Sequence, residues 1–173
     1  IDPFAEKLER ALCHRDMARP QQALRLLDEL AEAPGNPSLE VFSERSAVRE
    51  SLGDIDGAII DLARVHAVNP DLEKTLRLGM LYEKRKAPGI AASLYRKMIA
   101  RSGDSALLSI SLIRAETDSG HHDEALALVD VKLQSAALKA PWLQRKAEIL
   151  TAAGRKAEAE MVLKEALKDL DAI

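Results

Sequence analysis

Apolar residues recur every three or four positions along most of the chain, the spacing that lines one face of an α-helix. Between residues 21 and 30, Ala23, Leu24, Leu26, Leu27 and Leu30 fall on one side. Ala58, Ile59, Leu62 and Val65 repeat the arrangement, and so do Ala159, Met161, Val162, Leu163 and Ala166. No stretch sustains the period-two alternation of a half-buried strand. Pro20, Pro37, Pro70, Pro88 and Pro141 stand where helices are expected to begin, because proline at a first helical position gives up only an N–H that has no partner there. Asn36 and Asn69 precede two of them and read as N-caps. The pattern predicts helices near 4–16, 20–33, 37–51, 55–68, 71–85, 88–101, 105–118, 122–136, 141–152 and 156–170, joined by short turns.

The helices repeat in pairs. Ala23, Ala58, Ala91, Ala125 and Ala159 are separated by 35, 33, 34 and 34 residues, and each is followed four residues later by a large apolar side chain: Leu27, Leu62, Tyr95, Val129 and Leu163. Gly53, Gly120 and Gly154 lie five residues before three of these alanines, where a glycine permits a tight turn between two helices. Three glycines in phase with five alanines define a repeat built as helix, turn, helix.

These residues resemble the tetratricopeptide repeat family, whose 34-residue pattern runs W-x2-L-G-x2-Y, then A-x3-F, then P. The third repeat matches best, with Leu78-Gly79 followed by Tyr82, Ala91 and Tyr95, and Pro70 closes the second repeat. Ala11, Ser46, Gly79 and Ala147 occupy the small position of the first helix. Departures fall at Ile113, Glu116 and Lys132, and at Arg45 and Lys146 in leucine positions, so the fourth repeat is expected to pack loosely or shift locally. The resemblance implies an all-α fold, a right-handed superhelical solenoid of antiparallel helix pairs. Residues 1–4 read as a tag scar or processed end, and 5–173 as a single array with repeats near 4–36, 37–70, 71–104, 105–138 and 139–171.

Composition removes several function classes. Net charge is −3, from 25 basic and 28 acidic residues, which argues against a nucleic-acid binder and against an RNA-reading repeat of similar period. No apolar run approaches the roughly 20 residues of a membrane span. The single cysteine, Cys13, excludes an intrachain disulfide and a multi-cysteine zinc site. His121-His122-Asp123 is the one cluster that hints at a metal, but adjacent histidines diverge on a helix and the segment reads as a solvated turn. No phosphate loop, nucleophile elbow or zincin motif occurs, so neither enzyme activity, a cofactor nor a metal is expected. Bacterial members of the family work in the cytoplasm and in the periplasm, and nothing in the sequence chooses between them.

The resemblance implies a protein- or peptide-binding scaffold in which the first helix of each repeat lines a concave groove. Its register assigns Glu44, Arg77, Met80, Ile110, Arg114, Arg145 and Glu148 to that groove, with Ser111 among the exposed inner positions. Arg77, Arg114 and Arg145 would form a basic stripe suited to a carboxylate on an extended or helical peptide, read by bidentate contacts. The alternative is that they are solvated or paired with Glu73, Glu116 and Glu148. A second expectation is self-association as a homodimer. The last helix has no following repeat, which leaves Met161, Val162, Leu167 and Leu170 in search of cover. A third is that the array is the recognition part of a larger protein. Trp142 is expected to pack the last repeat against the fourth.

Overall fold

The computed structural model describes residues 2–35 and 38–171, and among these it contains ten α-helices and no strand. Two compact units are present, Ile1–Lys86 and Ala87–Ile173, divided in the turn of the third repeat. The first holds α1 (Pro3–Asp16), α2 (Pro20–Ala31), α3 (Leu39–Ser51), α4 (Ile55–Val68) and α5 (Leu72–Lys84). The second holds α6 (Pro88–Ser102), α7 (Ala106–Asp118), α8 (His122–Ser135), α9 (Ala140–Ala152) and α10 (Lys156–Asp171). Within each unit every helix packs on the one that follows it, as a stack of helix–turn–helix repeats requires.

The five marker alanines are all at most 4% exposed, and so are Ala11, Ser46 and Ala147 at the small position of the first helices. A small residue there brings two helix backbones close, and Ser46 satisfies its hydroxyl by donating to the Ala58 carbonyl at 2.8 Å. The first unit is centred on Leu8, Leu27, Leu30, Val41 and Val48. The second is centred on Ile113, Val129, Ile149 and Leu150, with Trp142 packed against this cluster at the junction of the last two repeats.

The turns inside the repeats share one conformation. Gly53, Gly120 and Gly154 have φ of 82°, 80° and 77°, and Ala18 and Lys86 stand at the same repeat position with φ of 54° and 65°. After Gly120, the His121 amide reaches back to the Glu116 carbonyl at 2.9 Å, while Gly120 bonds Thr117 at 3.0 Å. This Schellman closure satisfies carbonyls that the helix end would otherwise leave open. It recurs at Ala18, Gly53 and Gly154.

Helix starts depart from the sequence reading in one respect. Asn69 is the C-cap of α4, and α5 begins at Leu72 with Asp71 as its N-cap, accepting from the Lys74 amide at 2.8 Å. Pro70 therefore separates two helices and does not open one. Asn36 and Pro37 lie outside the described residues, and Ser38 caps α3. Pro20 and Pro88 are the first residues of α2 and α6, and Pro141 is the second of α9. The α9 N-terminus has no local side-chain cap; Asp169 of α10 supplies one by accepting from the Ala140 amide at 2.9 Å.

The expected loosening of the fourth repeat does not occur. Ile113 and Glu116 are both fully buried on a regular α7, Ile113 because it fills the space of a smaller residue within an apolar cluster, and Glu116 because the Arg96 guanidinium and the His121 ring meet its carboxyl group.

Candidate protein-interaction faces

Three surfaces hold the residues that the sequence singled out. In the first unit, α5 carries Arg77, half-buried and without a hydrogen bond or ion pair among the described residues, and Met80, 49% exposed one turn on. An arginine with its head unengaged, on the same helix as an open methionine, joins a bidentate donor to an adaptable apolar contact. Glu44, on α3, is already paired with Arg15 of α1.

In the second unit, Ile110 and Arg145 are half-buried and Arg114 is exposed. Arg145 stands 3.8 Å from Glu148 one turn away, a loose surface contact of little energetic weight. Arg114 has a partner of its own. Ser111, expected at the inner surface, is buried, because α7 turns it inward between Leu108 and Leu112.

The third surface is α10. Leu163 is 45%, Leu167 62% and Leu170 52% exposed, and together with Leu138 they line a groove of about 440 Å³. Met161 and Val162 face elsewhere, into a depression of about 280 Å³ with Leu126 and Leu150. The four residues grouped for self-association thus divide, Met161 and Val162 lining the depression and Leu167 and Leu170 the groove.

Charges inside the repeats are organised, and only part of this was visible in the sequence. Arg45, in a leucine position, binds Asp61 through Nε and Nη2 at 2.8 and 2.7 Å and Asp28 through Nη1 at 3.0 Å. Arg49 donates to the same Asp61 carboxylate at 3.0 Å. Lys146, at the equivalent place in the last repeat, donates to Asp130 at 2.7 Å. Glu116 receives His121 Nδ1 at 2.8 Å, and Arg96 Nη2 lies 2.7 Å from its other oxygen as an ion contact without hydrogen-bond alignment. Glu116, Arg96 and Asp61 were absent from the site residues read from sequence. A charged residue five positions after a marker alanine, met by an opposite charge about 16 to 20 residues on, was the available signal. Among the described residues no group of three His, Cys, Asp or Glu is placed to hold a metal ion, and no helix is long and apolar enough to cross a membrane.

Ten helices in repeating pairs, a buried small residue in the first helix and a left-handed turn residue before the second define a tetratricopeptide-repeat-like array. Solved structures with the same architecture include MamA of MSR-1, 19% identical, with 98% of this chain and 97% of that one covered at a TM-score of 0.69. MamA from Desulfovibrio magneticus RS-1 is 16% identical over 99% and 97% of the two chains, with a TM-score of 0.72. A tetratricopeptide repeat protein from Parabacteroides merdae ATCC 43184 is 17% identical, with 97% of this chain and 66% of that one covered at 0.66. No family model and no curated protein sequence matches the chain. At these identities the likeness carries the fold.

Proposed function

We propose that this protein is an interaction scaffold that acts by holding a segment of a protein partner, and not by catalysis, with the first helices of its repeats as the binding faces. The fold supports the scaffold reading, since stacked helix pairs offer a pre-ordered surface to a peptide or helix at little conformational cost. The single observation that carries the choice of face is Arg77, whose guanidinium has no ion partner among the described residues and lies on a first helix beside the exposed Met80, whereas Arg15, Arg45 and Arg49 on the other first helices of this unit are ion-paired. Beside Met80 it suits a peptide that presents a carboxylate and an apolar side chain one helical turn apart. In the second unit Ile110 supplies an apolar contact one turn from Arg114 on α7, but Arg114 and Arg145 each hold a partner that a ligand carboxylate would have to displace, and Glu148 and, in the first unit, Glu44 are acidic neighbours that select against an all-acidic ligand.

The test is affinity capture from the native cell with wild-type protein and with an Arg77→Ala, Arg114→Ala, Arg145→Ala variant, the captured proteins being identified by mass spectrometry. A partner retained by the wild type and lost by the variant supports the reading. The same partners captured by both proteins would move the site away from these faces.

A further inference from the structure

The charges at the joints between successive repeats change from one joint to the next, and all four joints lie inside one or other compact unit. At the first, between α2 and α3, Asp28 meets Arg45 at 3.0 Å and Arg49 at 3.4 Å. At the second, between α4 and α5, the equivalent residues are Ala63, Leu78 and Tyr82, and none carries a charge at neutral pH. At the third, between α6 and α7, the polarity is reversed: Arg96 supplies the cation and Glu116 the anion, 2.7 Å apart. At the fourth, between α8 and α9, it reverts, with Asp130 2.7 Å from Lys146.

A chain of similar repeats has a folding problem that these charges address. Each second helix offers the next first helix much the same apolar surface, centred on Leu27, Leu62, Tyr95 and Val129, each at most 1% exposed. Apolar burial is non-directional, and repeat proteins characteristically misassemble by exchanging elements. Charge discriminates where apolar shape does not. Omitting the third repeat would lay α4 on α7 and leave the fully buried Glu116 opposite Ala63; omitting the second and third would set it against Asp28. Omitting the fourth would set Arg96 against Lys146. Omitting the second would strand Asp28 opposite Leu78, and omitting the third and fourth would strand Lys146 opposite Ala63. Every omission of one or two repeats therefore strands a charge or opposes two alike. The forward match that remains, Asp28 with Lys146, requires three of the five repeats to be left out.

We infer that the reversed pair Arg96–Glu116 is an order key, which selects the third repeat over the first and second as the neighbour of the fourth while the chain folds. Glu116 dominates because its side chain is fully buried, whereas Asp28 and Lys146 keep part of their surface in water. A carboxylate stranded at that depth costs far more than one at a partly open site. His121 follows α7 directly and stays with Glu116 in every arrangement, so Arg96 is the counter-charge that the correct neighbour alone brings. The key is separate from the faces around Arg77 and stands whether or not those faces bind a peptide.

The test is refolding of the full chain from urea, with dimers and larger species formed by exchange of repeats counted by size-exclusion chromatography and light scattering. Stability is read in parallel from the urea midpoint. The double variant Arg96→Ala, Glu116→Leu gives the third joint the apolar character of the second, so that α4 of one chain fits α7 of another. It is expected to keep wild-type stability and to form about ten-fold more exchanged species. The double variant Arg96→Glu, Glu116→Arg keeps an opposite pair but takes the polarity of the first joint, which admits Asp28 to the site; the same rise is expected, and if this variant fails to fold the apolar one decides alone. Gly154→Ala strains a turn and touches no joint, so it shows what lost stability does by itself. Wild-type yields of monomer from the joint variants would overturn the inference. So would an equal rise in exchanged species in Gly154→Ala, because misassembly would then follow stability and not the pairing of charges.

Discussion

Arg45 and Asp61 are joined by two parallel hydrogen bonds of 2.8 and 2.7 Å, and the carboxylate they share with Arg49 is 2% exposed. At this depth an acid is tolerated because each oxygen is met by a guanidinium; removing one side of such a pair costs far more than the pair itself contributes. Asp61→Ala is expected to lose about 3 kcal/mol, since it leaves Arg45 and Arg49 crowded together with Asp28, and a longer contact from Arg49 to Asp54, to answer them. The other repeats carry Leu26, Leu94, Leu128 or Val162 at the place of Asp61, and the third and fourth carry Leu78 and Leu112 at that of Arg45. The double variant Arg45→Leu, Asp61→Leu should therefore recover most of the loss. Urea denaturation of the three proteins checks this.

Glu116 is fully buried on α7, yet its cationic neighbour Arg96 is half-exposed on α6. Arg96→Ala is expected to cost about 2 kcal/mol, because the carboxylate stays buried after its counter-ion has gone. Arg101→Ala, at an exposed position of the same helix, should stay within about 0.5 kcal/mol of wild type. Thermal melting of both variants separates a pair that compensates a buried charge from one that decorates the surface.

The five intra-repeat turns place a residue at positive φ, and two of them do so without glycine. Lys86→Gly and Ala18→Gly should each raise stability by about 0.5 kcal/mol, the left-handed penalty of an L-residue exceeding glycine's entropy cost there. Gly154→Ala should lower it by about 1 kcal/mol. Denaturation midpoints are sufficient to rank the three.

Asp71 holds the N-terminus of α5, and its acidity is strengthened by the hydrogen bond from the Lys74 side chain and then by that from the Lys74 amide. Its folded value lies below the ordinary carboxylate value of about 4, so its contribution is complete above that pH and is lost as pH falls through the folded value. Asp71→Asn keeps the cap and removes the charge. The variant is expected to show a shallower decline of stability below about pH 4 than wild type, measured as melting temperature against pH.

Much of the fold was legible because the repeat writes the same physics five times. The alanine at each close approach, the large side chain one turn later and the glycine of the turn are local requirements, and each leaves a residue type at a fixed spacing. Ala18 and Lys86 show where this stops: the backbone takes the turn in all five repeats, but two of them adopt it without the residue that announces it. Glu116 was read as a defect because its partners, Arg96 and His121, lie on either side of it in sequence, and only packing brings both to one carboxylate. The candidate faces were less legible still. Ser111 turned inward and Glu44 was already engaged by Arg15, since the register of a helix fixes which residues face outward but not which of them find partners.

The most direct test of the central claim is photo-crosslinking in the native cell, with a benzophenone amino acid placed at Met80 on α5 or at Ile60, an exposed position on the second helix of its repeat. The scaffold reading predicts a discrete adduct with a protein partner from position 80, lost when Arg77 is changed to Ala, and none from position 60. Equal adducts from both positions, or an adduct at 80 that is indifferent to Arg77, would contradict it.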